Sequence, residues 1–310
     1  MLFRSVQRHQ AYTLYMHQVL EAKVLGPDGL TLSMGSVFIE NADTPPTQLA
    51  AEAFKQDCEL NAFSRLAPQL KRDFPQLRLC LAGDSLYACG RTFHIAKDNG
   101  WSYVLTFKEK HMPAVWQEFQ SLLALTPENT REVTLKRGTQ TVQQDYRWVN
   151  GLSYQDDQKR TWTFDAIQCR ETVAGETTTF AWVSELSVNA DNVVPIANQG
   201  GRARWQIENQ GFNRQKNSGL NLEHVYSTDP EKSKAYYYLL QIAHILLLLL
   251  EHGKFLRQQA AAYGKTPVQW FGSLKNIGQF LLESIRNWLW PEDETVPLTA
   301  ADAVPVIDSS

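Results

Sequence analysis

Between Gly201 and His224 the chain reads GRARWQIENQGFNRQKNSGLNLEH, so one carboxylate, Glu208, stands among four cations, Arg202, Arg204, Arg214 and Lys216. That combination suits a metal ion working on phosphate, with the carboxylate holding the cation and the basic side chains holding the polyanion. Trp205, Ile207 and Phe212 flank Glu208, which is therefore expected against the body of the protein. The plainer alternative is a solvated helix with an Arg204–Glu208 pair one turn apart, worth roughly a few tenths of a kcal/mol. A second carboxylate, Asp84, follows the apolar run Leu77–Ala82 and precedes a helical stretch. Ligand-binding groups of open α/β sheets collect at the carboxyl ends of strands, although Asp84 and Ser85 would serve equally well as helix N-caps. Two carboxylates from distant parts of a chain fit a shared site for hard divalent cations, Mg²⁺ or Mn²⁺. Paired ions of this kind activate a water or a 3′-hydroxyl and stabilise the departing oxygen. Lys108, with Lys110 and His111, follows the apolar run Tyr103–Phe107 on the same side of the sheet as Asp84. It faces either a phosphate backbone or solvent.

The elements that must position these residues read as mixed α/β. Tyr12–Leu25 and Leu30–Glu40 flank the turn Gly26-Pro27-Asp28-Gly29 and predict an antiparallel hairpin. A helix is predicted from Thr47 to about Phe74, with Leu49, Ala53, Leu60, Phe63 and Leu66 on its apolar face. Leu77–Ala82 predicts a strand covered on both faces. Leu86–Asn99 predicts a helix closed by Gly100, and Tyr103–Phe107 a further buried strand. After a short helix near Pro113–Leu125, residues 131–189 alternate in Thr-, Val-, Trp- and Tyr-rich runs punctuated by Gly138, Asn150-Gly151 and Gly175, a strand meander. Helices return with the segment carrying Glu208, an apolar one from about Glu231, and a weaker one near Val268–Leu289. The tail from Pro291 to Ser310 is acidic and poor in apolar residues, the composition of a disordered segment.

A chain of 310 residues, 43% hydrophobic and 20% charged, has ample material for a soluble core. Its net charge of −3 excludes a wholesale polycation, so any nucleic-acid site is a local patch. Cys58, Cys80, Cys89 and Cys169 form no CxxC pair and read as reduced thiols of a cytoplasmic protein. Ala235–Leu250 is short for a membrane span and is interrupted by Gln241 and His244, which favours a buried helix and no membrane. Trp148, Trp162 and Trp182 read as core of the meander before base-stacking contacts, and His244 as a satisfied core histidine.

The segment GRARWQIENQGFNRQKN, followed by GLNLEHVYS and KAYYYLLQIAHIL, resembles the C-terminal part of bacterial insertion-sequence transposases of the DDE type. The resemblance extends upstream through HQVLEAKVL, SVFIEN, QDCELNAFSRLA, GDSLYA and NGWSYVLTFKEK, covering roughly residues 12–255. It implies an RNase H-like catalytic core over 1–125 and 198–290, a β-rich insertion over 126–197, and a tail over 291–310. Asp84 would then be the second acid and Glu208 the third, both binding Mg²⁺. Arg204 matches the arginine of the family's Tyr-x2-Arg-x3-Glu-x6-Lys signature, which contacts DNA phosphates near the cut. Gly201 stands at the signature tyrosine, and the lysine falls one residue late, at Lys216, because Gln215 takes its place. The family's first aspartate belongs to a strand before YTLYMHQVLEAKVL, yet residues 1–11 hold no Asp or Glu. Asp28 and Asp43 fall in turns and Asp57 in mid-helix. The resemblance thus implies a transposase truncated at its amino end and impaired in Mg²⁺-dependent cleavage and strand transfer. Its partners would be double-stranded DNA, at transposon ends and target, and further copies of itself in a synaptic complex. The alternative is a non-catalytic DNA-binding or regulatory fragment.

Overall fold

A computed structural model describes residues 3–7, 10–14, 18–26, 29–39, 48–224, 226–227 and 229–287, with the side chains of 3–14, 48–58 and 230 undescribed. Asp28, Asp43, the side chain of Asp57 and the acidic tail lie outside the described residues. The chain divides into two compact units, Met1–Leu25 with Ser33–Glu208, and Gly26–Leu32 with Asn209–Ser310.

The first unit is α/β. Its strands β1 (Phe3–Gln7) and β2 (Gln10–Leu14) pair antiparallel. Strands β3 (Gln18–Leu25) and β4 (Thr31–Ile39) form a second two-stranded piece. Helix α1 (Gln48–Asp73) turns Phe63, Leu66 and Leu70 inward. Gly35 of β4 lets the backbone approach it, since a Cβ there would stand 3.3 Å from Leu66 and 3.4 Å from Leu70.

Six further strands form one mixed sheet in the order β5-β6-β10-β9-β8-β7. Strands β5 (Cys80–Gly83) and β6 (Ser102–Thr106) are parallel and joined through α2 (Gly90–Asn99). Helix α3 (Pro113–Leu125) leads into the meander β7 (Thr130–Arg137), β8 (Gln140–Gln155), β9 (Thr161–Val173) and β10 (Glu176–Ser184). The meander continues the same sheet, because β10 pairs antiparallel with β6, Trp182 opposite Thr106. Strand β5 is the sheet's edge, with Cys80 exposed and the rest half-buried, so the expectation of a strand covered on both faces is corrected. That expectation fits its neighbour, where Tyr103 and Leu105 enter one core and Val104 the other.

The alternation of β8 changes parity at a bulge between Val149 and Leu152. Tyr146 and Trp148 face the core shared with Ile167, Cys169 and Trp182, whereas Val149 and Leu152 both enter the core under α1, α2 and α3. One extra residue moves every later side chain to the opposite face. Asp165 holds the bulge, accepting hydrogen bonds from the Gly151 amide at 2.9 Å and the Asn150 side chain at 2.5 Å. Trp148 and Trp182 are core as expected, while Trp162 is half-buried beneath Arg160 and Lys97, and its indole donates to Asp156.

On the sheet's second face lie α4 (Val193–Pro195) and a π-helical turn over Ile196–Gly201, after which the chain continues through α5 (Arg204–Gln206) and a second π-helical turn over Ile207–Phe212. The second unit is helical, with α6 (Asn213–Asn217), α7 (Pro230–His252), α8 (Lys254–Ala261), α9 (Pro267–Phe271) and α10 (Leu274–Arg286). Leu247, Leu256, Leu274 and Ile277 form its core. Gly272, at φ 80°, breaks the predicted last helix in two, and Ser273 caps the second piece by accepting from the Asn276 amide. Helix α7 outruns the predicted apolar stretch and is long and apolar enough to cross a membrane. It is buried on one face only, since Leu239, Ile242, Leu246 and Leu249 point outward. His244 is fully buried, its Nδ1 3.0 Å from the Gln215 amide nitrogen.

Candidate functional site

Asp84 begins the loop after β5 and is exposed. Its carboxylate accepts from the Leu86 amide at 3.0 Å and its carbonyl from the Tyr87 amide at 3.2 Å, so it organises its own turn. It is not the helix cap the sequence allowed. Helix α2 begins later, with Cys89 in the cap position, and Gly90 lies so close to Asp156 that a Cβ there would be driven into that carboxylate. The left-handed C-cap at Gly100 is as expected, with φ 66°. Because β5 and β6 are parallel, Lys108 leaves the sheet at the same end as Asp84 and is exposed there. Thr106 ties the two strand ends together by donating to the Gly83 carbonyl at 3.2 Å.

Sequence reasoning missed Glu59, which comes next to Asp84 from α1. Partial burial raises the Glu59 carboxyl above its ordinary value, and the negative charge of Asp84 adds to the rise. Burial likewise pushes the Tyr87 hydroxyl up, helped by Glu59 and Asp84. The signal was present in the sequence: Glu59 stands four residues before Phe63 and so falls on the inward stripe of α1, an uncommon place for a carboxylate.

Glu208 differs from its expectation. Its side chain is 56% exposed and Trp205 is 63% exposed, so the aromatic neighbours do not hold it in an apolar setting. Its partner is Arg204, one turn away, which donates a short hydrogen bond to it. Arg202 is placed differently. Its guanidinium forms a fork on Glu171 of β9, at 2.5 and 2.9 Å, and lies 4.4 Å from the centre of the Phe180 ring. Glu171 is 6% exposed and also accepts from Arg137 at 3.4 and 3.2 Å and from Gln144 at 2.7 Å. Burial alone would raise the Glu171 carboxyl, but the donors Gln144, Arg202 and Arg137 outweigh it and hold the group below the usual range. Gln144 also bonds Asn198 in the first π-helical turn, and Tyr146 donates to Gln144. Glu171 too was missed, although its parity with Ile167 and Cys169 marks it as inward-facing.

Arg214 and Lys216 belong to the second unit, where each has a carboxylate partner at 2.6 Å, Glu251 and Glu223 respectively. The structure therefore gathers Asp84, Lys108, Arg202, Arg204 and Glu208 in one unit and Arg214 and Lys216 in the other. Ile196–Gly201, which leads to Arg204 and Glu208, packs against both β5 and β6. Among the described residues no three His, Cys, Asp or Glu groups cluster as metal ligands. Asp84 is adjoined by Glu59, while Glu208 is occupied by Arg204. No family model matches the chain, and no curated protein matches it.

Proposed function

We propose that this chain is a DNA-processing protein of the DDE transposase type, with an RNase H-like core to which the meander is an insertion. One observation carries the reading. The parallel pair β5–β6 presents Asp84 and Lys108 at its carboxyl end, and the turn Ile196–Gly201, which leads to Arg204 and Glu208, packs on those same two strands. This is where open α/β sheets place ligand-binding groups, and the motifs around both acids are those of the resemblance. In this reading Arg204 and Lys108 hold backbone phosphates of double-stranded DNA, with Arg214 and Lys216 as further basic candidates. Arg204 leaves Glu208 for phosphate readily, because an exposed ion pair is worth only about 0–1 kcal/mol. The protein works in the cytoplasm on transposon ends and target DNA, in company with further copies of itself.

The pairing of Glu208 with Arg204 supports a second reading, a DNA-binding or regulatory relative that does not cut. No catalytic step through Mg²⁺ is assigned to these side chains. The deciding experiment incubates the full chain with linear and supercoiled DNA, with and without Mg²⁺ or Mn²⁺, beside Glu208→Ala. Nicking that needs the ion and disappears in the variant establishes the enzyme. Binding without nicking, unchanged by chelator, establishes the second reading. Soluble protein that neither binds nor nicks sinks both.

A further inference from the structure

The stretch leading to Arg204 and Glu208 is fastened to the sheet at three successive residues. Gly200 packs against Val104, where a Cβ would come within 3.1 Å of the valine methyl. Gly201 lies against the Trp182 indole so closely that no side chain fits. Arg202 is forked onto the buried Glu171 and stacked on Phe180. Just before them, Asn198 bonds Gln144, which itself donates to Glu171. Two glycines remove the steric bulk and an arginine supplies a bidentate, directional bond, so both the height of the segment above the sheet and its rotation are fixed. Beyond the buried Ala203, Arg204 and Glu208 bond only each other among the contacts described for them.

We propose that Gly200, Gly201, Arg202 and Glu171 form a latch that sets where the residues that follow, Arg204 and Glu208, stand relative to the sheet. Arg202 is then a positioning residue and not a phosphate contact, and the meander strand β9 is the part of the sheet that aims the segment. This inference rests on the proposed function only in taking Arg204 as the residue that meets DNA.

The test separates the latch from that function. Hydrogen exchange needs no DNA. In Glu171→Gln and in Arg202→Lys, amides of residues 196–208 should exchange about tenfold faster than in the parent, and the double variant no faster than the faster single. Arg202→Lys keeps the charge and loses the fork, so it stays informative if Glu171→Gln folds poorly. Binding of a fluorescent linear duplex supplies the second readout. Removing a negative charge should tighten DNA binding if Arg202 and Arg137 are phosphate ligands released by it. A latch predicts the opposite sign: Glu171→Gln binds about tenfold more weakly, the loss of one charge-assisted contact. Arg204→Ala should then cost little more in that background, a coupling that mere loss of stability would not produce. Unchanged exchange, or tighter binding with a steeper salt dependence in Glu171→Gln, overturns the latch. A parent protein that binds no DNA overturns the proposed function and leaves exchange to decide the latch.

Discussion

Two arginine–glutamate pairs begin two residues apart in this chain and have opposite surroundings. Arg202 meets a glutamate on a distant strand that is almost fully buried and accepts from three side chains. Arg204 meets a glutamate one turn along its own segment, with the carboxylate more than half exposed. A buried carboxylate supplied with donors cannot lose a partner without leaving a charge uncompensated. An exposed pair exchanges its partner for water, a cation or phosphate at little cost. Charge type and spacing alone make the two arginines look alike; burial divides them into one that holds the fold and one that is available.

The strongest way to break the contrast is to remove the seat beneath the first pair. Gly201→Val forces a branched side chain into the Trp182 indole, and overpacking at a buried contact costs about 3 kcal/mol. Urea unfolding should show this loss, whereas Gly138→Val, in a turn where an added Cβ meets nothing, should suffer only from its positive φ. Next comes Glu171→Ala, which strands Arg202 and leaves the Gln144 amide short of an acceptor. With Arg202 21% exposed, the loss falls below that of a fully buried pair, at about 2 kcal/mol by urea unfolding. A loss under about 0.5 kcal/mol, the range of ordinary surface substitutions, would erase the distinction between the pairs.

Acid gives a smaller, graded test. Desolvation works against the ionised Asp156, yet hydrogen bonds from the Trp162 indole, from the Arg160 amide and guanidinium and from the Gln158 amide lower it to about 2. A carboxyl depressed in the folded state adds stability above its unfolded value, near pH 3.9, and loses it as pH falls through the folded value. Glu171, also held low, adds its loss in the same direction. Stability should therefore decline steeply from about pH 4 to pH 2, and less steeply in Asp156→Asn. Chemical denaturation at stepped pH measures both slopes; equal slopes would show that Asp156 keeps its bonds equally well when protonated.

Much of the frame is legible in local pattern. The span of α1, the Gly100 cap, the presence of the meander strands and the turns at Gly138 and Gly175 follow from short-range rules, whereas β8 runs on through the predicted break at Asn150-Gly151. What local pattern misses depends on distant partners. The late start of α2 reflects Gly90 lying against Asp156, far along the chain. Leu77–Ala82 looks like a central strand, and pairing alone makes β5 an edge. The apolar run of α7 has no periodicity that tells its buried face from its exposed one. At the candidate site, Asp84, Lys108, Arg204 and Glu208 were visible as residue types. Glu59 and Glu171 required following the phase of a helix and of a strand to see a carboxylate turned inward.

The smallest effect on stability sharpens the contrast most. Glu208→Gln removes only an exposed, single-turn ion pair and should change unfolding free energy by less than about 0.5 kcal/mol. It also releases Arg204. If that arginine meets DNA, the variant binds a linear duplex more tightly, and its log affinity falls more steeply with log salt, by up to about 0.9 for one added phosphate contact. Arg204→Ala should shift the slope the other way. An unaltered slope in both variants would mean that this segment does not touch the backbone, and the DNA interface would have to be sought at Lys108, Arg214 or Lys216. A steeper slope in Glu208→Gln beside a weaker affinity in Glu171→Gln would show the two carboxylates acting oppositely on neighbouring arginines, one restraining a contact and the other aiming it.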